Sequence, residues 1–252
     1  MRTLLHSRRH GVQPILDAVA SALIVIAAAA VMATAARFWW VTRRSDAPTV
    51  RADAENVPTA PQPLTGAAII GNPAANVAVI EYSDFQCPYC GQFVRETWPE
   101  LKKQYVDSGH IVFAFRHLPL PGHRFAMPAA VSAECGREQG RFWEMHDRLF
   151  ERQPQLDALT GPSIARTLGF EDTAFTRCLQ QRADRVEGDI ASALALKISG
   201  TPTFLIGTLD ANRRVRVSHV LVGARRADEF ARVIEALTRP PAAPWWDRLL
   251  ML

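Results

Sequence analysis

The sequence predicts an α/β fold with a helical insertion, and three observations carry that expectation. Short β-branched apolar runs stand near both ends of residues 66–238, as sheet strands require. Between them, residues 125–197 read as helix, broken near Gly140, Gln153-Pro154, Gly161-Pro162 and Gly169. The first strand also runs directly into Cys87-Pro88-Tyr89-Cys90, at the head of a helical pattern. Two β-containing halves split by helices imply a sheet with a helical subdomain on one side.

Taken in order, residues 76–82 (NVAVIEY) form a buried strand. A helix follows Cys87 to about Val106, with Phe93, Trp98, Leu101 and Tyr105 at helical spacings. Pro99 is expected to kink it, because proline removes a backbone hydrogen bond and clashes one turn back. Residues 111–115 (IVFAF) are the second strand. After the helical stretch come strands over 203–206 and about 215–222, then a last helix over 227–237.

Ahead of this unit, residues 18–36 carry no charge, and Phe38, Trp39, Trp40, Arg43 and Arg44 follow them. As a helix the run spans roughly 28 Å, close to the hydrocarbon core of a bilayer. Aromatic residues and then cations are what the membrane boundary favours. Residues 1–44 are therefore expected to hold a single N-terminal transmembrane helix. The alternative is a signal peptide cleaved near Ala33-Thr34-Ala35, although the run is longer than the usual apolar region of such peptides. Three Arg precede the span and three follow it, so charge does not orient it. Residues 45–65 mix Pro, Ala, Thr and charge, as an extended linker does. Residues 239–252 form a short apolar tail.

The net charge of the 252 residues is +4, with 48% hydrophobic and 21% charged residues. Residues 1–44 alone carry +5, and the remainder carries −1. The bulk of the chain thus has no basic excess to offer phosphate, and nucleic acid is excluded as a leading partner. Four cysteines are too few for a disulfide-framework miniprotein.

The chemistry lies in Cys87-Pro88-Tyr89-Cys90. With Cys87 as helix N-cap and Pro88 at the first helical position, the Cys87 thiol faces unpaired backbone N–H groups and the positive end of the helix dipole. Both favour thiolate, so Cys87 is expected to be an exposed nucleophile of low pKa. Cys90, one turn deeper, resolves the mixed disulfide. Haem attachment needs a His at position 91, where Gly91 stands. A zinc site wants a second closely spaced Cys or His pair, but Cys135 and Cys178 are single and far apart. Those two cysteines sit in expected helices of the insertion. In an oxidising compartment they are expected to pair with each other; two buried free thiols are the alternative. His117 and His123 flank the Pro-Leu-Pro-Gly turn after the second strand and are expected to be ordinary surface histidines; the alternative is that either borders the active site.

The runs EYSDFQCPYCGQF, RHLPL, AAVSAECGREQGRFWEMHDRLF and GTPTF resemble the DsbA-like thioredoxin-fold thiol-disulfide oxidoreductases, in particular the membrane-tethered, BdbD-like kind. The resemblance covers residues 66–238, helical insertion included. It implies disulfide formation or exchange in exported proteins, with no metal or organic cofactor. Its implied partners are clients with free thiols and a membrane redox partner that recycles the dithiol. The catalytic domain is then expected on the extracytoplasmic side. Gly200-Thr201-Pro202-Thr203 resembles the loop whose proline is cis beside the dithiol, where the Thr201 backbone would pair with a client strand. Glu81 matches a position where a buried acid lies below the dithiol and exchanges a proton with Cys90; a solvated sheet edge is the alternative. Rival readings are a reductase serving a maturation pathway and a chaperone-like module that holds clients.

Overall fold

The computed structural model describes residues 31–32 and 57–239. Apart from residues 31–32, which are helical, the expected membrane span 18–36 lies outside the described residues, as do most of the linker and nearly all of the tail. Among the described residues no helix is long and apolar enough to cross a membrane.

The strands are β1 (Gln62–Pro63), β2 (Ala68–Gly71), β3 (Val77–Ser83), β4 (Ile111–His117), β5 (Thr203–Leu209) and β6 (Arg214–Val222). Helix α1 (Pro88–Glu96) follows β3, and α2 (Trp98–Leu101) continues into a widened π-type turn over Lys102–Val106. The insertion holds α3 (Ala126–Glu138), α4 (Phe142–Glu151), a short 3-10 turn (Gln153–Gln155), α5 (Thr160–Leu168), α6 (Asp172–Gln181) and α7 (Ala183–Ala195). Helix α8 (Ala227–Thr238) closes the unit.

The six strands form one sheet in the order β1-β6-β5-β3-β4-β2. β3 runs parallel to β4 and antiparallel to β5, which places it inside the sheet. All seven residues of β3 are buried, the near-continuous apolar run expected of a strand covered on both faces. Val77 and Val79 pack with Phe93 of α1, Trp98 of α2 and Phe230 of α8. Ala78, Ile80 and Tyr82 point the other way, into a cluster that includes Ala193 of α7. Side chains alternate along a strand, so Glu81 and Ser83 fall on the α1 face. A third core fills the insertion with Phe142, Met145, Leu149 and Phe150, and it takes in Cys87 and Cys90.

The structure departs from the sequence expectations at several elements. Pro99 does not kink a continuous helix: α1 ends at Glu96, and Pro99 sits in the first turn of a new helix, where no N–H is needed. The helices are interrupted near Gly161-Pro162 as expected, over residues 156–159, and Pro162 itself lies in the first turn of α5. The helix does end at Gly169, whose φ of +71° is the left-handed conformation that glycine adopts cheaply. Gln62-Pro63, inside the expected linker, pairs with β6 as an edge strand. β2, also unforeseen, pairs with β4 at the opposite edge.

Candidate active site

After β3, residues 84–86 turn the chain into α1. Cys87 is the N-cap, extended at φ −71° and ψ 122°, with Pro88 in the first turn. Both thiols are free, so the dithiol form is the one described. The Thr201-Pro202 peptide is cis, and its loop lies against the dithiol: the Cys87 thiol donates to the Thr201 carbonyl at 3.3 Å. That contact and the insertion core bury Cys87 to 3% exposure, which corrects the expectation of an exposed nucleophile. The exposed residues of the motif are Pro88 and Tyr89. Beside Pro88 a groove of about 670 Å³ opens between α1 and the insertion, walled by Val94, Trp98, Phe150 and Gln153.

The two thiols are driven apart in acidity. The Cys87 pKa is lowered to about 5, first by the hydrogen bond from the Cys90 thiol; the Thr201 hydroxyl and the N–H groups of Cys90 and Tyr89 add to this, while burial opposes it. The helix N-terminus therefore contributes, but less than the second thiol, and no capping hydrogen bond reaches the sulfur in this state. Cys90 is fully buried, and that burial, followed by the neighbouring Cys87, pushes its pKa well above the ordinary thiol value. Its sulfur accepts the Asp84 N–H at 3.4 Å.

Glu81 is buried beneath the pair, not on a solvated edge. Burial raises its pKa to about 8, with Ser83 offsetting a part. Its Oε1 and the Ser83 hydroxyl both lack a hydrogen-bond partner of normal geometry. The unfolded chain releases this proton near 4.5 and the native protein near 8, so the native state binds more protons in that window and loses stability as pH rises through it. Glu81→Gln is expected to remove that loss. With the dithiol oxidised, urea unfolding should show the variant level with wild type near pH 4 and ahead by a few kcal/mol above pH 8, since each pKa unit is worth about 1.4 kcal/mol. An equal gap at both pH values would show that Glu81 does not titrate in this way.

Three side chains that sequence reasoning did not assign fix the loop before Cys87. The Asp84 carboxylate accepts the N–H of Gln86 at 2.7 Å, the N–H of Leu120 at 2.8 Å and His123 Nδ1 at 2.6 Å. His123 is thus no ordinary surface histidine. His117 is not one either: it is buried, with Nε2 3.0 Å from Glu134 Oε1. The Gln86 side chain accepts the Phe125 N–H at 2.7 Å. Gln153, from the insertion, donates to the carbonyls of Phe85 and Cys87. In the sequence Gln153-Pro154 signals only a helix break. Cys135 of α3 and Cys178 of α6 are bonded to each other.

A helix-capping dithiol beside a cis-proline loop, on a sheet that carries a helical insertion, defines a dithiol protein of thioredoxin architecture. A thioredoxin family model matches residues 64–220, and the chain belongs to that family, among its DsbA-like thiol-disulfide oxidoreductases. Disulfide bond formation protein D of Bacillus subtilis is 28% identical over 152 residues, 57% of this chain and 68% of that relative. The crystal structure of alpha-DsbA1 from Wolbachia pipientis is similar with a TM-score of 0.63 and 26% identity, over 70% of this chain and 93% of that one. Oxidised BdbD from Bacillus subtilis superposes with a TM-score of 0.62 over 73% of this chain and 100% of that one; at 23% identity this likeness speaks to fold alone. A Na⁺/H⁺ antiporter, NhaA 3 of Salinispora tropica, is 40% identical over 135 residues, but the match spans only 20% of the antiporter.

Proposed function

We propose that the Cys87–Cys90 pair catalyses disulfide formation or exchange in exported proteins, acting as an oxidant of client thiols. The observation that carries this reading is the split between a stabilised thiolate at Cys87 and a buried, protonated Cys90. Whatever stabilises the reduced pair raises its reduction potential. The name of the Bacillus relative, a disulfide bond formation protein, supports the same direction.

In the forward reaction a client thiolate attacks the Cys87 sulfur of the oxidised pair. The S–S bond breaks, and its electrons leave on Cys90. Cys90 takes a proton, and Glu81, still protonated at neutral pH beneath the pair, is its donor. A second client thiolate then attacks the client sulfur of the mixed disulfide and expels Cys87 as thiolate, a good leaving group because its pKa is low. Two electrons have passed to the pair, and a membrane redox partner would remove them. The Thr201 backbone offers hydrogen bonds to an extended client strand beside Cys87. Residues 18–36 would hold the catalytic domain at the outer side of a membrane.

The test uses the full chain. Full-length protein should remain in carbonate-washed membranes and, once solubilised, equilibrate with glutathione at a potential clearly less negative than about −270 mV, the level of a cytosolic reductant. A potential at or below that level would establish the reductase reading instead. Soluble protein beginning near residue 36 would replace the anchor with a cleaved signal.

A further inference from the structure

The dithiol loop is held from outside the motif by one residue of the insertion. Gln153 opens the 3-10 turn after α4, 66 residues along the chain from Cys87. Its Nε2 donates to the Phe85 carbonyl at 2.8 Å and to the Cys87 carbonyl at 2.9 Å. The Cys87 carbonyl also accepts the Gly91 N–H at 3.1 Å, the first backbone bond of α1. One side-chain amide thus ties the Phe85–Gln86 peptide, one residue before the nucleophile, to the Cys87–Pro88 peptide that directly follows it. The plane of the second peptide sets the ψ of Cys87, and with it the direction of the sulfur relative to the N–H groups of Tyr89 and Cys90.

Gly91 supplies an independent observation. Its φ is not positive, so its backbone does not require glycine, and inside a helix alanine is better by about 1 kcal/mol. A Cβ there would stand 2.0 Å from Gln153 Oε1 and 2.7 Å from its Cδ, with the mobile end of Arg95 next at 2.8 Å. The glycine is explained by the room it leaves for the Gln153 amide.

We propose that Gln153 is a positioning residue for the dithiol, holding the Phe85 and Cys87 carbonyls so that the head of α1 faces the Cys87 sulfur, and that Gly91 makes the space this needs. The proposal rests on Cys87 being the stabilised thiolate of the exchange reaction, and the experiment separates the two. In the full-length reduced protein, Cys87 is titrated by its ultraviolet thiolate absorbance, and the dithiol is equilibrated with glutathione. Gln153→Ala is expected to move the thiolate midpoint upward and to shift the glutathione equilibrium toward the oxidised protein by threefold or more. Gln153→Glu, of the same size but without the N–H donors, should do the same if the alanine variant folds poorly.

Gly91→Ala should reproduce the shift by displacing the amide, although it favours the helix. The double variant should go no further than either single one, as expected of residues acting through one contact. A merely structural role would change unfolding midpoints and leave the titration in place. If wild-type Cys87 titrates as an ordinary thiol, the functional reading itself fails. If wild type titrates near 5 and the Gln153 variants stay within twofold of it, this proposal is overturned while that reading stands.

Discussion

Cys87→Ser is expected to reduce thiol–disulfide exchange to the uncatalysed rate, and Cys90→Ser to turn the protein into a trap for its clients. The two outcomes differ because the two sulfurs do different things. Cys87 is the sulfur with thiolate character at neutral pH, and thiolate is the reactive species in exchange. Without it, the Cys90 thiol that remains is fully buried and protonated. With Cys90 replaced, the Cys87 thiolate still attacks a client disulfide, expelling one client sulfur as thiolate and leaving a mixed disulfide, but no intramolecular thiol is left to attack Cys87 and release the client. Such a held neighbour is worth an effective concentration of order 10⁵ M or more in well-oriented systems. Client-bearing species should therefore accumulate on non-reducing gels with Cys90→Ser and be absent with Cys87→Ser. Alkylation of Cys90 before Cys87 at neutral pH would reverse the assignment.

Replacing Cys135 and Cys178 together with alanine should lower stability by about 4 kcal/mol in the chain-entropy account, given a sequence separation of 43 residues. The bond joins α3 to α6 within the insertion and takes no part in the hydrogen bonds around Cys87. The glutathione equilibrium of the dithiol should accordingly stay within twofold of wild type while the urea midpoint falls. Two free thiols in unfolded, unreduced protein would refute the bond, and a large shift in the dithiol equilibrium would refute its independence.

The parts of the fold legible in the sequence are those where several physical signals coincide. β3 is an unbroken apolar run, and α1 begins with a cysteine, a proline and a helical apolar spacing. β1 and β2 were not legible, because two and four residues are too few to display a period. Pro63 within β1 reads as linker, although an edge strand tolerates proline. The buried state of Cys87 was hidden for a different reason: the Thr201 carbonyl that covers it lies 114 residues away. Gln153 and His123 were missed on the same account, since each acts through a contact that only folding brings together. Pro99 reads in the sequence as a kink, whereas it stands in the opening turn of a new helix.

Arg116 has a bearing on how this protein can be handled as a fragment. Its buried guanidinium binds Asp189 of α7 at 2.6 Å and reaches the carbonyls of Pro63 and Thr65 at 2.8 and 3.0 Å. The chain entering the domain is thereby sewn to β4 and to the insertion, and it lends β1 to the rim of β6. A fragment cut at residue 66, where the family resemblance begins, would strip that cation of two acceptors and uncover a sheet edge, inviting the strand-to-strand aggregation that bare edges promote. The natural place for the scissors is ahead of residue 57, so that the threshold leaves together with the house.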